Sequence, residues 1–296
     1  MWKTKLCLNV FKNGIPVKEQ LALFKKTGFE GFFVSWQEGV DLKDIRNYAD
    51  SIGMYFQSVH APFGKAADMW RGGEKAETAL DELLHCLEDV AGAGVKIMVC
   101  HVWIGFDTDE QPNQSGVEKY RKLVERADEL GVMIAFENTE GEEFLDALLR
   151  AFVKYKNVGF CLDTGHEMCY NKSKDMLALY GDRLIATHIN DNLGIRDYNG
   201  VITFQDDLHL LPFDGVKDWA EFARRIQKCG YDSELTFELN IGSRRDRHEN
   251  DVYREMPFER YLAEAYKRAC RVATLVKAHG DSNISTHATK QRSKTK

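Results

Sequence analysis

Nine residues able to hold or work beside a metal ion fall at the ends of expected strands or in the loops just after them: His60, His101, Glu137, Asp163, His166, His188, Asp207, His209 and Glu238. Four of these, Glu137, Asp163, His188 and Glu238, close the strand-like words AFE, CLD, ATH and TFE. An isolated carboxylate against an apolar core is very costly and needs a partner or a cation. Three carboxylates converging on one point repel one another, and a divalent cation resolves that repulsion. An oxygen-rich set with one imidazole suits Mn²⁺ first, then Mg²⁺ or Co²⁺, with Zn²⁺ as a further alternative.

The remaining candidates surround that set. His166 lies three residues after Asp163, in DTGH, on the turn leaving a strand. It is expected either to bind metal or to hydrogen-bond a substrate hydroxyl. His60 and His101 end the words SVH and MVCH, and are read as lining the pocket, the alternative being structural histidines satisfied by backbone carbonyls. Asp207 and His209 form a D-x-H pair, and residues two apart in an extended segment share a side, so the pair is expected to bind a second metal or to cap the first site. Trp36, Phe63 and Trp103 end or follow strands, where an aromatic face could stack on a sugar ring or simply pack a loop base. Glu143 and Arg196 are expected to reach the pocket from loops.

Residues so far apart in sequence meet only if the fold gathers strand ends on one face. Short apolar, β-branched runs recur near 5–10, 31–36, 54–60, 96–102, 132–137, 157–163, 184–189 and 234–239. Between them lie stretches of helical period near 17–27, 41–52, 75–93, 115–130, 143–155, 173–180, 217–229 and 258–278. VMIAFE is almost continuously apolar, as a strand covered on both faces should be. Eight strand–helix repeats predict parallel βαβ units closing into a single (β/α)8 barrel over residues 1–278, with the strand C-termini on one functional face. Two long connections, 191–216 and 240–258, would lie on that face and are expected to cover substrate. Within the second, RRDRHEND reads as a solvated charged loop. The remainder, 279–296, is polar and basic without periodicity and is expected to be a disordered tail.

Composition bounds the function. The 296 residues are 44% hydrophobic and 29% charged, with no apolar run near the roughly 20 residues that span a bilayer. The N-terminus lacks a signal-peptide pattern. Seven cysteines, an odd number without a CxxC pair, read as reduced thiols of a cytoplasmic protein. The net charge is -6, and the basic tail makes the body still more acidic, a poor match for a phosphate backbone. No GxxxxGK[ST], no GxGxxG after the first strand and no GxSxG is present.

The words SVHAPF, FENTEG, CLDTGHEMCY, THINDN, DDLHLLPFDGVKDW and TFELN resemble the xylose isomerase-like TIM-barrel superfamily, and more closely its sugar phosphate isomerase/epimerase group, which includes ketose 3-epimerases and inosose dehydratases. The resemblance covers roughly residues 1–278. It implies a metal set of Glu137, Asp163, His188 and Glu238, with His166 on substrate oxygen. It also implies substrate contacts from Arg196, two residues beyond the family's spacing, and from Glu143. The expected chemistry is proton transfer beside the carbonyl of a small ketose or polyol ketone, with Glu137 and Glu238 on opposite faces of the reacting carbons. A dehydratase would use the same proton abstraction. The nine residues also resemble the trinuclear set of zinc-dependent apurinic endonucleases, although the His-Pro-Gly turn expected after the fourth strand is absent and His101 is followed by Val-Trp. Homo-oligomerisation is an expectation by analogy alone.

Overall fold

The computed structural model describes residues 4–106, 109–195 and 202–292, with side-chain surroundings described as far as residue 277. Eight strands alternate with helices: β1 (Leu6–Asn9), β2 (Gly31–Ser35), β3 (Tyr55–His60), β4 (Ile97–His101), β5 (Met133–Glu137), β6 (Val158–Asp163), β7 (Leu184–His188) and β8 (Leu235–Phe237). All pairings are parallel, in the order β7-β6-β5-β4-β3-β2-β1-β8. A single parallel bridge, Ile189 to Phe237, joins the two ends. The result is a nearly closed barrel, as the alternation predicts.

The helices are α1 (Val17–Thr27), α2 (Leu42–Ser51), α3 (Asp68–Arg71), α4 (Gly73–Gly92), α5 (Gln114–Leu130), α6 (Glu142–Ala151), α7 (Thr164–Met168), α8 (Met176–Tyr180), α9 (Trp219–Lys228), α10 (Asp251–Arg254) and α11 (Phe258–Arg292). Local chemistry sets their starts. Asp41, Asn113, Asp175 and Asp218 each accept a hydrogen bond from a first-turn N–H, satisfying donors that the helix leaves free. The expected helix over 173–180 is shorter, α8 (Met176–Tyr180), and an additional short helix, α7, starts straight off β6 where Asp163 caps it. Helical backbone in α11 continues past residue 279, where the sequence places the start of a polar tail.

Strand periodicity divides the interior in two. Met98, Cys100, Ile134, Phe136, Phe160 and Leu162 point outward into the large core beneath the helices. Ile97, Val99, Ala135, Cys161 and Ala186 form a small separate cluster inside the barrel. Because side chains alternate along a strand, the next inward positions toward the C-terminal end are His101, Glu137, Asp163 and His188. On β3 the same phase runs Ser58 to His60, and after β8 it runs Thr236 to Glu238. The barrel thus ends its apolar filling one step below a ring of ligand-type side chains. Among the described residues, no helix is long and apolar enough to cross a membrane. All seven cysteines are free.

Candidate metal centre and active site

Glu137 is the hub of the ring. It is fully buried, 0% exposed, at the end of β5. Its Oε1 accepts from His188 Nδ1 at 2.9 Å, while Oε2 lies 3.3 Å from both His60 Nε2 and His101 Nε2. The two imidazole nitrogens are themselves 3.2 Å apart. His188 Nδ1 also stands 3.1 Å from Glu238 Oε2. A third cluster faces these: Asp207 Oδ2 lies 2.7 Å from His209 Nε2 and 3.6 Å from His166 Nε2. Single ligand atoms of Glu137, Asp163, His188 and Glu238 lie within 4.8 Å of one another, as do those of His60, Glu137 and His188, and of Asp163, His166 and His209. The structure therefore brings all nine sequence candidates to one end of the barrel.

The residues fit a cation on three counts. Glu137 Oε2, His188 Nε2 and Asp207 Oδ1 are buried with no hydrogen-bond partner, a costly state for polar atoms. The edges of the His60–His101–Glu137 triangle are close to the ligand–ligand separation of about 3.3 Å that a tetrahedral shell at roughly 2.0 Å produces. Three histidines are also oriented as ligands usually are. His60 Nδ1 lies 2.8 Å from the Ala61 carbonyl, His166 Nδ1 2.9 Å from that of Asn138, and His209 Nδ1 3.1 Å from that of Glu238. Donation from Nδ1 to a carbonyl leaves the Nε2 lone pair aimed into the cluster. His209 adopts a left-handed backbone, φ 49°, uncommon for a residue with a side chain and a feature often stored at functional positions.

Electrostatics couple the groups. Burial opposes ionisation of Glu137, but His188, His101 and His60 outweigh it and hold the carboxyl well below the usual range. Burial likewise opposes the charged form of Glu238, and His188 and His209 bring it down to about 2. Burial pushes the His101 imidazole down to about 4, so it is neutral and has a lone pair to offer.

A second layer fixes the ligands. Asn138 Oδ1 accepts from Asp163 N at 2.8 Å, while its Nδ2 donates to the Asp163 carbonyl at 2.9 Å. Asn190 Nδ2 donates to Asp163 Oδ2 at 2.9 Å, and Asp163 Oδ1 caps α7 by accepting from His166 N at 2.7 Å. Gly165 is required between them, since a Cβ there would sit 2.1 Å from Asn190 Oδ1. The long loop after β7 is organised by buried Asp191, which accepts from the N–H groups of Asn192, Phe213 and Lys217 and from the Trp219 indole.

Above the ring opens a cavity of about 740 Å³. His60, His101, His166, Asp207, His209 and Glu238 all reach its lining, whereas Glu137 does not. Phe63, 45% exposed, lines it and stacks on the His101 ring at 4.6 Å. Three sequence candidates fall elsewhere. Trp103 is only 1% exposed and stacks flat on Phe144 at 4.0 Å, so it packs the loop base rather than facing substrate. Glu143 is exposed in the first turn of α6, on the face opposite Phe144, Leu145 and Leu148. Trp36 is buried and donates to Asp89 at 2.8 Å, away from the cavity. Arg196 lies outside the described residues. The charged run after β8 is not simply solvated: Arg247 is buried, and Arg244 lines the cavity and donates to Asp207 Oδ2 at 2.9 Å. Two further lining residues, Glu140 and Tyr170, carry no assignment from sequence although they stand inside the quoted words FENTEG and CLDTGHEMCY. Only their closeness to Glu137 and His166 in sequence marks them.

A (β/α)8 barrel with a ligand-type ring at its C-terminal mouth defines a class of protein, and comparison with known families makes it specific. The description "xylose isomerase-like TIM barrel" matches residues 19–262, and the chain belongs to that family. The protein y4fM of Sinorhizobium fredii is 34% identical over 170 residues, which are 53% of this chain and 51% of y4fM, so the match spans about half of that relative. Among solved structures, the IolI protein with a bound zinc atom aligns at a TM-score of 0.70 and 20% identity, covering 92% of this chain and 98% of IolI. D-psicose 3-epimerase in the presence of D-fructose aligns at 0.69 and 13%, covering 92% and 99%. A fusion of a xylose isomerase-like TIM barrel with 4-hydroxyphenylpyruvate dioxygenase aligns at 0.71 and 17%, covering 95% of this chain and 45% of the fusion protein. At these identities the structures share the fold.

Proposed function

We propose that this protein is a divalent-metal-dependent isomerase or epimerase that moves a proton on the carbon beside the carbonyl of a small ketose or polyol ketone. The observation that carries the reading is Glu238. It belongs to the four-residue ligand set, yet its side chain is 22% exposed and opens into the cavity. Glu137, Asp163, His188 and Glu238 would hold the cation. Held there, it would polarise a substrate carbonyl and lower the barrier to the enediolate that follows proton removal. Glu238, held ionised by His188 and His209, is placed to take that proton, a contribution typically of about 10²–10⁴-fold. Glu137 has both oxygens turned toward histidines and no surface on the cavity, which supports a role as ligand rather than as the second proton-transfer group. The aligned structures of D-psicose 3-epimerase and L-ribulose 3-epimerase agree with the sugar reading, and the zinc of IolI agrees with a cation. Mn²⁺ suits the four-residue set, and Zn²⁺ competes because the neighbouring histidines add nitrogen donors.

A second reading rests on one specific feature. The two oxygens of Glu137 face different ligand clusters, and Asp163, His166 and His209 form a third, with Asp207 against both of its histidines. Such a layout suits a polynuclear zinc centre hydrolysing a phosphodiester. Metal stoichiometry on purified protein separates the two, followed by proton NMR in D₂O over a panel of ketoses. About one Mn²⁺ per chain with deuterium entering a ketose supports the first reading. Two or three tightly held Zn²⁺ with no exchange, and cleavage of abasic DNA, would replace it with the second.

A further inference from the structure

Away from the ligand ring, two side chains on the described lining of the cavity carry a permanent positive charge, Arg244 and Lys12. Neither has a part in the proton transfer proposed above. They stand on neighbouring loops. β1 pairs with β8 in the register Leu8 to Phe237, and past the strand ends Asn9 Oδ1 accepts from Leu239 N–H at 2.8 Å while Asn9 Nδ2 donates to the Leu239 carbonyl at 3.2 Å. Lys12 follows this join on the β1 side and Arg244 on the β8 side.

Arg244 is held along one edge of its guanidinium. Nε donates to the Asp207 carbonyl, and Nη2 donates to Asp207 Oδ2 at 2.9 Å. A guanidinium has five N–H donors in a rigid plane, and these two bonds use its Nε–Nη2 edge. The other fork, both protons of Nη1 and the second of Nη2, is left over. Nη1 donates to no described residue and is not buried, and the side chain is 30% exposed where it lines the cavity. A fork oriented in advance by a carboxylate on its far edge is suited to take a second anion bidentately. The Asp207 oxygen that holds it lies 2.7 Å from His209 Nε2 and 3.6 Å from His166 Nε2. One residue therefore separates the fork from the ring. We propose that this fork binds a carboxylate carried by the substrate, so that the site takes a keto sugar acid rather than a neutral ketose; the inference rests on the isomerase/epimerase reading.

Charge selects a carboxylate over a phosphate. Glu140, Asp207 and Glu238 line the same cavity, and each repels an incoming anion. A carboxylate brings one negative charge on two coplanar oxygens, which match the fork. A phosphate monoester brings about -1.5 to -2 at neutral pH and meets more of that repulsion. Lys12, exposed on the adjoining loop, adds one positive charge at the same side of the mouth. The N–H groups of Ile241 and Gly242, both on the lining, have no acceptor among the described residues and supply neutral donors.

Three ketones of one carbon skeleton test the proposal in D₂O by proton NMR: a neutral ketose, the keto acid with a carboxylate in place of its terminal CH₂OH, and the terminal phosphate ester. For the metal-loaded protein, kcat/KM for exchange of the proton beside the carbonyl should be about 10–100-fold higher for the keto acid than for the neutral ketose, the worth of a hydrogen bond to a charged group. In Arg244→Gln that ratio should fall toward one. Arg244→Lys, which keeps the charge and loses the fork, should retain part of it. Loosening of Asp207 would slow both substrates alike, so the ratio reports the fork. Equal or better exchange of the neutral ketose overturns the proposal, as does a preference for the acid that survives in Arg244→Gln. A preference for the phosphate ester overturns the choice of carboxylate, and Arg244-dependent cleavage of abasic DNA without ketone exchange assigns the fork to a phosphodiester instead. If the wild type exchanges no ketone and cleaves no DNA, calorimetric titration of the same three compounds separates the two claims. Selective binding of the keto acid that is lost in Arg244→Gln supports the carboxylate site and removes only the isomerase reading, whereas equal binding of all three removes both.

Discussion

Gly165→Ala changes neither a candidate ligand nor a cavity residue, yet it should weaken the metal centre. The new Cβ would meet Asn190 Oδ1 at 2.1 Å and Asn190 Cγ at 3.1 Å, so Asn190 must move. Its Nδ2 then leaves Asp163 Oδ2, now 2.9 Å away, and a fully buried carboxylate loses a donor. Loss of a hydrogen bond to a charged group costs about 1.5–3 kcal/mol. Gly165 lies in α7 without a positive φ, so alanine returns about 1 kcal/mol of helix propensity. The net destabilisation is about 0.5–2 kcal/mol, or roughly 1–8 °C in melting temperature for a domain of this size. Displacing a partner that orients a ligand should lower metal affinity by about 10–100-fold. Competition with a chelator reads the affinity, and thermal unfolding of the metal-free protein reads the stability. Asn190→Ala supplies the control: in that background the clash is gone, and Gly165→Ala should cost little further. Wild-type metal affinity in Gly165→Ala, or an undiminished penalty in the Asn190→Ala background, would refute the chain of contacts described above.

Other perturbations test other parts of the site. His101→Ala should reduce the number or affinity of bound ions while leaving the Glu137–His188–Glu238 contacts in place, as elemental analysis after dialysis would reveal. Glu137→Gln should lose metal; a wild-type metal content in the folded variant would refute its role as a ligand. Buried Glu167 is held below its ordinary range because Lys217 and Arg225 outweigh the cost of burial. A depressed carboxyl stabilises the fold above its unfolded value of about 4.3 and loses that stabilisation as pH falls toward the folded value, so Glu167→Gln should flatten the acid limb of a pH–stability curve below about pH 4.3. Phe204, 59% exposed at the cavity, should be dispensable for folding, so Phe204→Ala should raise KM several-fold with an unchanged melting temperature.

Much of the site is legible in the sequence because strand geometry is regular. Val99, Ala135, Cys161 and Ala186 occupy the inward phase, and two residues later that phase delivers His101, Glu137, Asp163 and His188. Period two and a parallel barrel are enough to bring such residues together. Loops obey no such period. A family offset carries Glu143 to the cavity, but the turn after β5 is short, so Glu140 reaches the lining and Glu143 falls on the outer face of α6. Trp103 reads as a stacking platform until its partner is known, and Phe144, 41 residues away, is what claims its face. Arg244 is hidden in a run whose charges look alike, since nothing local marks Asp207 as its partner.

The barrel has a seam. Where the other neighbouring strands share ladders, β7 and β8 meet at one bridge, supported by Ile189 N to Thr236 O at 2.8 Å and Glu238 N to Ile189 O at 3.1 Å. Thr187 Oγ1 accepts from Thr236 N at 3.1 Å, a side chain standing in for a missing rung. His188 and Glu238 flank that join, one on each side, with 3.1 Å between Nδ1 and Oε2. An ion gripped by both would therefore act as a clasp, fastening the cylinder along its weakest edge. Stripping the ion should unlatch this edge first, and amide exchange would rise at Ile189 and Glu238 well before it rises in the β4–β5–β6 ladders.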